Sequence, residues 1–264
     1  MSNGSGKSWF DTGFEGMKRE EDRLQSRQGP GRYYVPEGET KEMVLIDDVP
    51  FCVYEHHFKM NGSWRNWLTC LRGIHEDIPC CTTLGDKTRA YLGFLTCIDA
   101  SKWKDKKGNV HQYEVQLFPA KLKTLKKFKR KKEDRGSLVA CLFKVTREDE
   151  KSPSCGDEFE IQKEVELAKV LDVAMFRGRK LLELFAKANE DPKMMEYTQR
   201  IFQVVLDDKG KILPKLYPFN YIELLKPKSP EEIRAIIGGQ KVGSDEDGPV
   251  SENTADVQTD DVPF

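Results

Sequence analysis

Short apolar runs separated by turn-forming residues dominate the middle of the chain. Six runs rich in β-branched and aromatic residues lie between residues 43 and 165: MVLIDD (43–48), FCVYEHHF (51–58), RAYLGFLTCID (89–99), HQYEVQLFPA (111–120), SLVACLFKVT (137–146) and DEFEIQKEV (157–165). Turn signals such as Asn61-Gly62 and Lys107-Gly108-Asn109 separate several of them. Strands of this number and length are typical of a small β-barrel, so we predict a mainly β fold with added helices.

Helical periodicity appears on both sides of the last strands. In 121–136, Leu122, Leu125 and Phe128 fall on one helical stripe. We predict further helices over 177–191 and over 230–239, the last with Ser229 as its cap and Gly238 as its end. A charged helix from Phe14 to Gln28 would end at Gly29-Pro30-Gly31.

These patterns divide the chain into four parts. Residues 1–42 form an N-terminal arm, partly helical or flexible, and 43–176 form the β core with its candidate metal subsite. Residues 177–242 form a helical extension. After Val242 the chain has too few apolar residues to fold, so we predict a disordered acidic tail over 243–264.

Charge is distributed unevenly along the 264 residues. The last 22 residues hold seven acids and no Lys or Arg, so residues 1–242 carry all 43 bases against 37 of the 44 acids, a net charge of +6. A basic body with an acidic tail favours a polyanionic partner that the tail can replace, although an ordinary solvated tail has the same composition. No run of 18 apolar residues and no apolar signal core occurs, and seven cysteines without a secretion signal indicate a reducing cytoplasm and no membrane.

Three histidines and three cysteines fall within 27 residues, in EHHFKMNGSWRNWLTCLRGIHEDIPCC. Thiolates and imidazoles are the ligands that Zn²⁺ prefers, and four of them close a structural site. The candidate ligands are His56 or His57, Cys70, Cys80 and Cys81, with His75 able to replace one of the adjacent cysteines. Strand alternation puts His56 and His57 on opposite faces, so we expect at most one of them to bind. The alternative is a set of buried thiols and surface histidines.

Catalytic motifs are weak throughout the chain. GSGKS at residues 4–8 resembles a phosphate-binding loop, but Met1 stands where that motif needs glycine. His75-Glu76 followed by Pro79-Cys80 only faintly resembles a zinc deaminase signature, with the wrong separations. We therefore predict a binding protein rather than an enzyme.

Basic and aromatic residues alternate across the predicted strands. This pattern is typical of proteins that bind nucleic-acid phosphates in a basic groove and stack nucleobases on aromatic rings. The candidate DNA-binding residues are Lys59, Trp64, Arg65, Trp67, Arg72, Arg89, Tyr91, Lys102, Trp103, Lys104, Lys106, Lys107, Tyr113, Lys121 and Lys123. We expect Trp64 and Trp103 to be exposed, and Phe94 and Phe118 to lie in the core. The nine bases of 121–135 are either a phosphate-binding rail or a solvated helix face.

The last residues, TDDVPF, resemble the C-terminal tip of bacterial single-stranded DNA-binding proteins. The matching positions are Asp260, Asp261, Val262, Pro263 and Phe264. The resemblance implies that this tip docks into basic, apolar-lined pockets on replication and repair proteins, and that the acidic tail competes with DNA for the binding groove.

Residues 40–165 are similar to zinc-containing single-stranded DNA-binding proteins of phages. His57, Cys70 and Cys80 match the His-x12-Cys-x9-Cys spacing of that family, with Cys81 directly after them, whereas the pattern Glu55-His56, Gly62, Trp64, Cys70 and Lys106 to Asn109 favours His56. The resemblance implies an OB-type barrel with a zinc-binding insertion, no catalysis, and a role in replication, recombination and repair. A zinc-dependent duplex-DNA or RNA-binding recombination or transcription factor is the alternative, and self-association is left open.

Overall fold

The computed structural model describes residues 29–60, 63–104, 108 and 110–238, with 59, 60 and 63–66 described by their backbone alone. The strands are β1 (Thr40–Leu45), β2 (Phe51–Met60), β3 (Ser63–Thr69), β4 (Arg89–Asp99), β5 (Trp103–Lys104), β6 (Val110–His111), β7 (Glu114–Lys121), β8 (Cys141–Thr146), β9 (Glu158–Glu164), β10 (Met175–Phe176) and β11 (Arg179–Lys180). The helices are α1 (Pro79–Leu84), α2 (Leu122–Arg135), α3 (Leu167–Val173), α4 (Leu181–Ala188), α5 (Pro192–Ile201), α6 (Tyr221–Leu224) and α7 (Pro230–Gly238), with a 3₁₀ turn at Asp86–Thr88.

Strand β4 is the centre of the sheet. It pairs with β7 along one edge, while β2 and β1 share its other edge, β2 opposite Arg89–Phe94 and β1 opposite Cys97–Asp99. Strands β8 and β9 extend the sheet beyond β1, β10 and β11 extend it beyond β7, and β3 pairs with β2. Strands β5 and β6 form a separate hairpin.

Nine of the described strands form this one sheet, and it does not close into a barrel. The barrel prediction is therefore wrong, and the fold is mixed α/β. The outer edge of β7 is taken by β10 and by the extended segment before β1, where Tyr33 N–H donates to the Leu117 carbonyl (2.7 Å), so β7 does not pair with β9. Because the outer edge of β7 is already paired, β9 cannot hydrogen-bond to it and close the sheet into a barrel.

Both faces of the central strands are buried. Residues 92–99 of β4 are all buried, and their side chains alternate between two apolar clusters. Leu95, Phe118 and Phe143 pack beneath α2 through Phe128. The opposite face, with Phe94, packs against the helical region from α3 to α6. The core positions expected for Phe94 and Phe118 are confirmed, since both are 0% exposed.

Helices α2 and α7 match their predicted positions. α2 ends at Gly136, whose φ of 89° stops the helix. At α7, Ser229 Oγ accepts from Glu232 N–H and Glu232 accepts from Ser229 N–H, a reciprocal cap. α5 begins after an aspartate cap at Asp191 and was not predicted as a separate helix.

Of the helices described, none is long and apolar enough to cross a membrane.

Candidate metal centre and aromatic surface

His56, Cys70, Cys80 and Cys81 converge at one buried point. Their ligand atoms all lie within 4.8 Å of one another. Cys81 Sγ is 3.4 Å from Cys70 Sγ, 4.0 Å from Cys80 Sγ and 3.4 Å from His56 Nε2. Ligands of a tetrahedral zinc with Zn–S of about 2.3 Å and Zn–N of about 2.0 Å lie roughly 3.5–3.8 Å apart. The cluster could therefore hold a metal ion such as zinc.

Three different elements supply the four ligands. His56 comes from β2, Cys70 follows the end of β3, and Cys80 and Cys81 lie in the first turn of α1 after Pro79. A helix turns about 100° per residue, so both thiols of the adjacent pair can reach one point, whereas strand alternation would separate them. A helix at this position was not predicted. It allows both Cys80 and Cys81 to supply a candidate ligand to the same site.

Thr88 sets the tautomer of His56. Its hydroxyl donates to the Gly85 carbonyl at 3.0 Å and lies 2.8 Å from His56 Nδ1, so Nδ1 is the donor of that second bond. The lone pair on Nε2 then faces the sulfurs, as metal ligation requires. Burial, with the positive charges of Arg89 and Arg72, lowers the pKa of His56 to about 4 and keeps the ring neutral.

Nitrogen donors surround the sulfurs. Leu71 N–H points at Cys80 Sγ (3.5 Å), and Arg72 N–H and Arg89 Nε–H point at Cys70 Sγ (3.4 and 3.2 Å). Burial alone would raise the pKa of Cys70, but the Arg72 N–H and the Arg89 side chain hold it below its ordinary value. Burial and the neighbouring thiols raise the pKa of Cys81 to about 12 without an ion. A bound cation would favour the thiolates directly, so the donor set fits a thiolate-rich zinc site.

The other two candidate histidines, His57 and His75, lie outside this cluster. His57 is on the opposite face of β2, where Nε2 is 3.3 Å from Glu55 Oε2. His75 is exposed and its Nδ1 accepts from Asp77 N–H. Of the two adjacent histidines, therefore, only His56 joins the candidate ligand set.

A buried ion pair holds the His57 face of β2. Arg32 makes two hydrogen bonds to Glu55, at 2.9 and 3.0 Å, and its guanidinium lies 4.1 Å from the Trp67 ring centre. Burial would raise the pKa of Glu55, yet Arg32 and then His57 lower it to about 2. Trp67, a predicted DNA-binding residue, is thus half-buried, and its ring packs against the Arg32 guanidinium.

Two tyrosines are exposed on the opposite, His56 face. Tyr54 and Tyr91 are directly paired across β2 and β4, 43% and 38% exposed, with ring centres 5.1 Å apart. Arg89 lies over the Tyr54 ring at 3.6 Å. We call Tyr54, Tyr91 and Arg89 the aromatic surface.

The aromatic surface lies between the metal cluster and helix α2. Arg89, Tyr91 and Gly93 share one face of β4, spanning about 13 Å. Arg89 contacts Cys70 at one end, and at the other a Cβ on Gly93 would lie 2.8 Å from both methyl carbons of Leu125 in α2. Helix α2 thus approaches the same face, and the exposed Lys129 lies on its Leu125 side, because positions i and i+4 are neighbours on a helix surface.

The remaining predicted DNA-binding residues are scattered. Lys102, Trp103 and Lys104 follow the far end of β4, about 26 Å along the strand from Tyr91. Trp103 is half-buried, stacked on His111 at 4.2 Å with Lys41 5.5 Å from its ring, which corrects its expected exposure. Tyr113 packs partly buried against the helical cluster.

Other predicted residues lie near the aromatic surface or outside the described part. Arg72 is exposed beside the cluster and paired with Asp86, and Lys121 and Lys123 flank the start of α2. The predictions that fall outside the described side chains are those for Lys59, Trp64, Arg65, Lys106, Lys107, Asp260, Asp261, Val262, Pro263 and Phe264.

Tyr54 was missed, although a sequence signal for it existed. It lies two residues before His56 in a strand, so alternation already placed it on the face of the candidate ligand.

No family model matches the chain, and neither a curated protein nor a solved structure matches it.

Proposed function

We propose that the protein binds single-stranded DNA, coating and protecting it during phage DNA replication, recombination and repair. The observation that carries this proposal is the exposed Tyr54–Tyr91 pair with Arg89, lying on the sheet between the metal cluster and the basic helix α2. Large aromatic rings rarely remain exposed side by side unless they contact a partner.

The mechanism is stoichiometric binding. Unpaired bases stack on the tyrosine rings and on the guanidinium plane, while Arg72 and the lysines of α2 neutralise phosphates. A duplex hides the faces of its bases inside the stack, so a stacking surface of this kind favours single strands. Phosphate neutralisation releases counterions, so the affinity falls steeply with salt.

The metal cluster has a structural role in this proposal. The ligands His56, Cys70, Cys80 and Cys81 would hold a zinc ion that ties β2, β3 and α1 together beside the aromatic surface. With four protein ligands the site offers no open position for a substrate.

The cellular part of the proposal rests on the resemblance of the tail. In this scheme the protein acts in the cytoplasm, residues 243–264 compete with DNA for the basic surface, and Asp260–Phe264 dock on replication and repair proteins. Truncation after Val242 should raise DNA affinity and abolish partner capture, and unchanged values for both would contradict this part.

Fluorescence anisotropy with labelled oligothymidylate and with a duplex of equal length tests the binding proposal. We expect tight, salt-sensitive binding to the single strand and much weaker binding to the duplex, with about one zinc per chain by elemental analysis. Equal affinity for duplex would favour the alternative, a zinc-dependent duplex-DNA or RNA-binding factor. Absence of binding to every nucleic acid would reject the proposed function.

A further inference from the structure

Arg89 touches both functional regions of the described structure. Its Nε–H donates to Cys70 Sγ at 3.2 Å, and its guanidinium carbon lies 3.6 Å from the centre of the Tyr54 ring. Cys70 is one of the four clustered ligands, and Tyr54 is half of the exposed aromatic pair. One planar group thus connects the candidate ligand set with the candidate stacking surface.

We propose that Arg89 is a positioning residue that couples metal occupancy to nucleic-acid binding, so that each strengthens the other. This inference rests on the proposed function. The sulfur of Cys70 holds the guanidinium over the Tyr54 ring, where the planar group extends the surface on which a base can stack.

Arginine suits this double contact because of its shape. Nε–H and the two terminal nitrogens lie in one rigid plane, so fixing Nε on a sulfur also fixes the orientation of the stacking face. The Cys70 residue is itself buried, so Arg89 lies between the cluster and the exposed tyrosine pair. A lysine in its place would keep the charge but lose both the Nε donor and the plane.

Thermodynamic linkage makes the proposal reciprocal. If the loaded site holds Arg89 in its stacking position, metal raises the affinity for a single strand, and the strand must raise the affinity for metal by the same factor. Couplings of this kind are typically about 5–150-fold. Neither effect should survive without the Arg89 contacts.

The experiment uses the full chain loaded with zinc. Zinc transfer to a chromophoric chelator is measured with and without saturating oligothymidylate, for the wild type, Arg89→Lys and Lys169→Gln. Lys169 forms an exposed ion pair with Glu166 at helix α3, so its variant controls for altering a surface basic residue outside the cluster and the aromatic surface. Oligothymidylate affinity and thermal melting are measured on the same samples.

We expect oligothymidylate to tighten zinc binding by about 5-fold or more in the wild type and in Lys169→Gln, and to have no effect in Arg89→Lys. Arg89→Lys should still hold about one zinc and melt cooperatively, which shows that the site is intact. Equal tightening in Arg89→Lys, or none in the wild type despite tight strand binding, would overturn the coupling alone. A zinc-loaded wild type that binds no single strand would overturn the proposed function and this inference together.

Discussion

The two faces of strand β2 reverse the usual positions of charged and aromatic residues. On one face Glu55 is 2% exposed, and on the other face its neighbour Tyr54 is 43% exposed. The buried carboxylate is stabilised by Arg32, whereas Tyr54 has the Arg89 guanidinium over its ring and still remains exposed. A buried charge with a full set of hydrogen-bond partners indicates a structural role. An exposed pair of aromatic rings beside basic residues indicates a binding surface.

Breaking the buried face should have the largest effect on folding. Arg32→Ala leaves the Glu55 carboxylate buried without its main partner, which costs about 3–5 kcal/mol of unfolding free energy. Urea unfolding measures this change. The double variant Arg32→Met, Glu55→Gln should recover much of the loss because it removes both charges, and an equally unstable double variant would contradict the ion-pair explanation.

Metal retention should separate the two adjacent histidines. His56→Ala removes a ligand and should abolish stoichiometric zinc binding, whereas His57→Ala should keep about one zinc per chain. Thr88→Val keeps all four ligands but removes the hydroxyl that accepts from His56 Nδ1 and donates to the Gly85 carbonyl, so it should weaken zinc binding by about 10-fold or more. Competition with a chelator measures all three, and zinc loss in His57→Ala would show that the ligand set is misassigned.

Much of this contrast follows from the sequence, but not all of it. Alternation along β2 already separated His56 from His57, and the helix over Leu122–Phe128 followed from its stripe. The barrel prediction failed because it depends on which segments occupy the outer edge of β7. The short stretch 31–33 pairs there, although it lies in the region predicted to be an N-terminal arm. The Cys80-Cys81 pair needed helix α1, whose six residues are too short for a periodic signal.

Aromatic residues were the hardest to assign. Trp67 and Trp103 lie among bases in the sequence, yet Arg32 covers the first and His111 stacks on the second. The composition of a segment does not distinguish an aromatic ring that packs against an arginine inside the protein from one that is exposed and free to stack on a nucleobase. That distinction depends on the partner strand, as with Tyr54 opposite Tyr91.

Removing single rings should separate binding from stability. Tyr54→Ala and Tyr91→Ala should each cost about 1–3 kcal/mol of oligothymidylate affinity, because each removes a stacking platform. Trp67→Ala should instead lower the melting temperature. Anisotropy titrations and thermal melts on the same samples give both values, and a Trp67→Ala variant that loses affinity without losing stability would reverse the assignment.

Two carboxylates should give opposite and smaller pH effects. The pKa of Glu55 is lowered to about 2, so its stabilising contribution is present above its ordinary pKa of 4.5 and is lost as the pH falls towards 2. Burial raises the pKa of Asp47 to about 6, against hydrogen bonds from Tyr221 and Thr96 N–H, so its contribution is present below its ordinary pKa of 3.8 and is lost as the pH rises through 6.

Substitution tests this difference. Asp47→Asn should remove a change in unfolding free energy of about 1–2 kcal/mol between pH 4 and pH 7, whereas Glu55→Gln should flatten only the acid side. Urea unfolding from about pH 2 to pH 7 measures both effects. An unchanged pH profile in Asp47→Asn would mean that this carboxyl group does not contribute to the pH dependence.

The most direct test of the central claim is the oligothymidylate affinity of Tyr91→Phe compared with that of Tyr91→Ala. Phenylalanine keeps the exposed ring beside Tyr54 and loses only the hydroxyl, whereas alanine removes the ring. The account predicts an affinity near that of the wild type for Tyr91→Phe and a loss of about 5-fold or more for Tyr91→Ala, with both proteins equally stable. Equal affinities for the two variants would contradict base stacking on this surface.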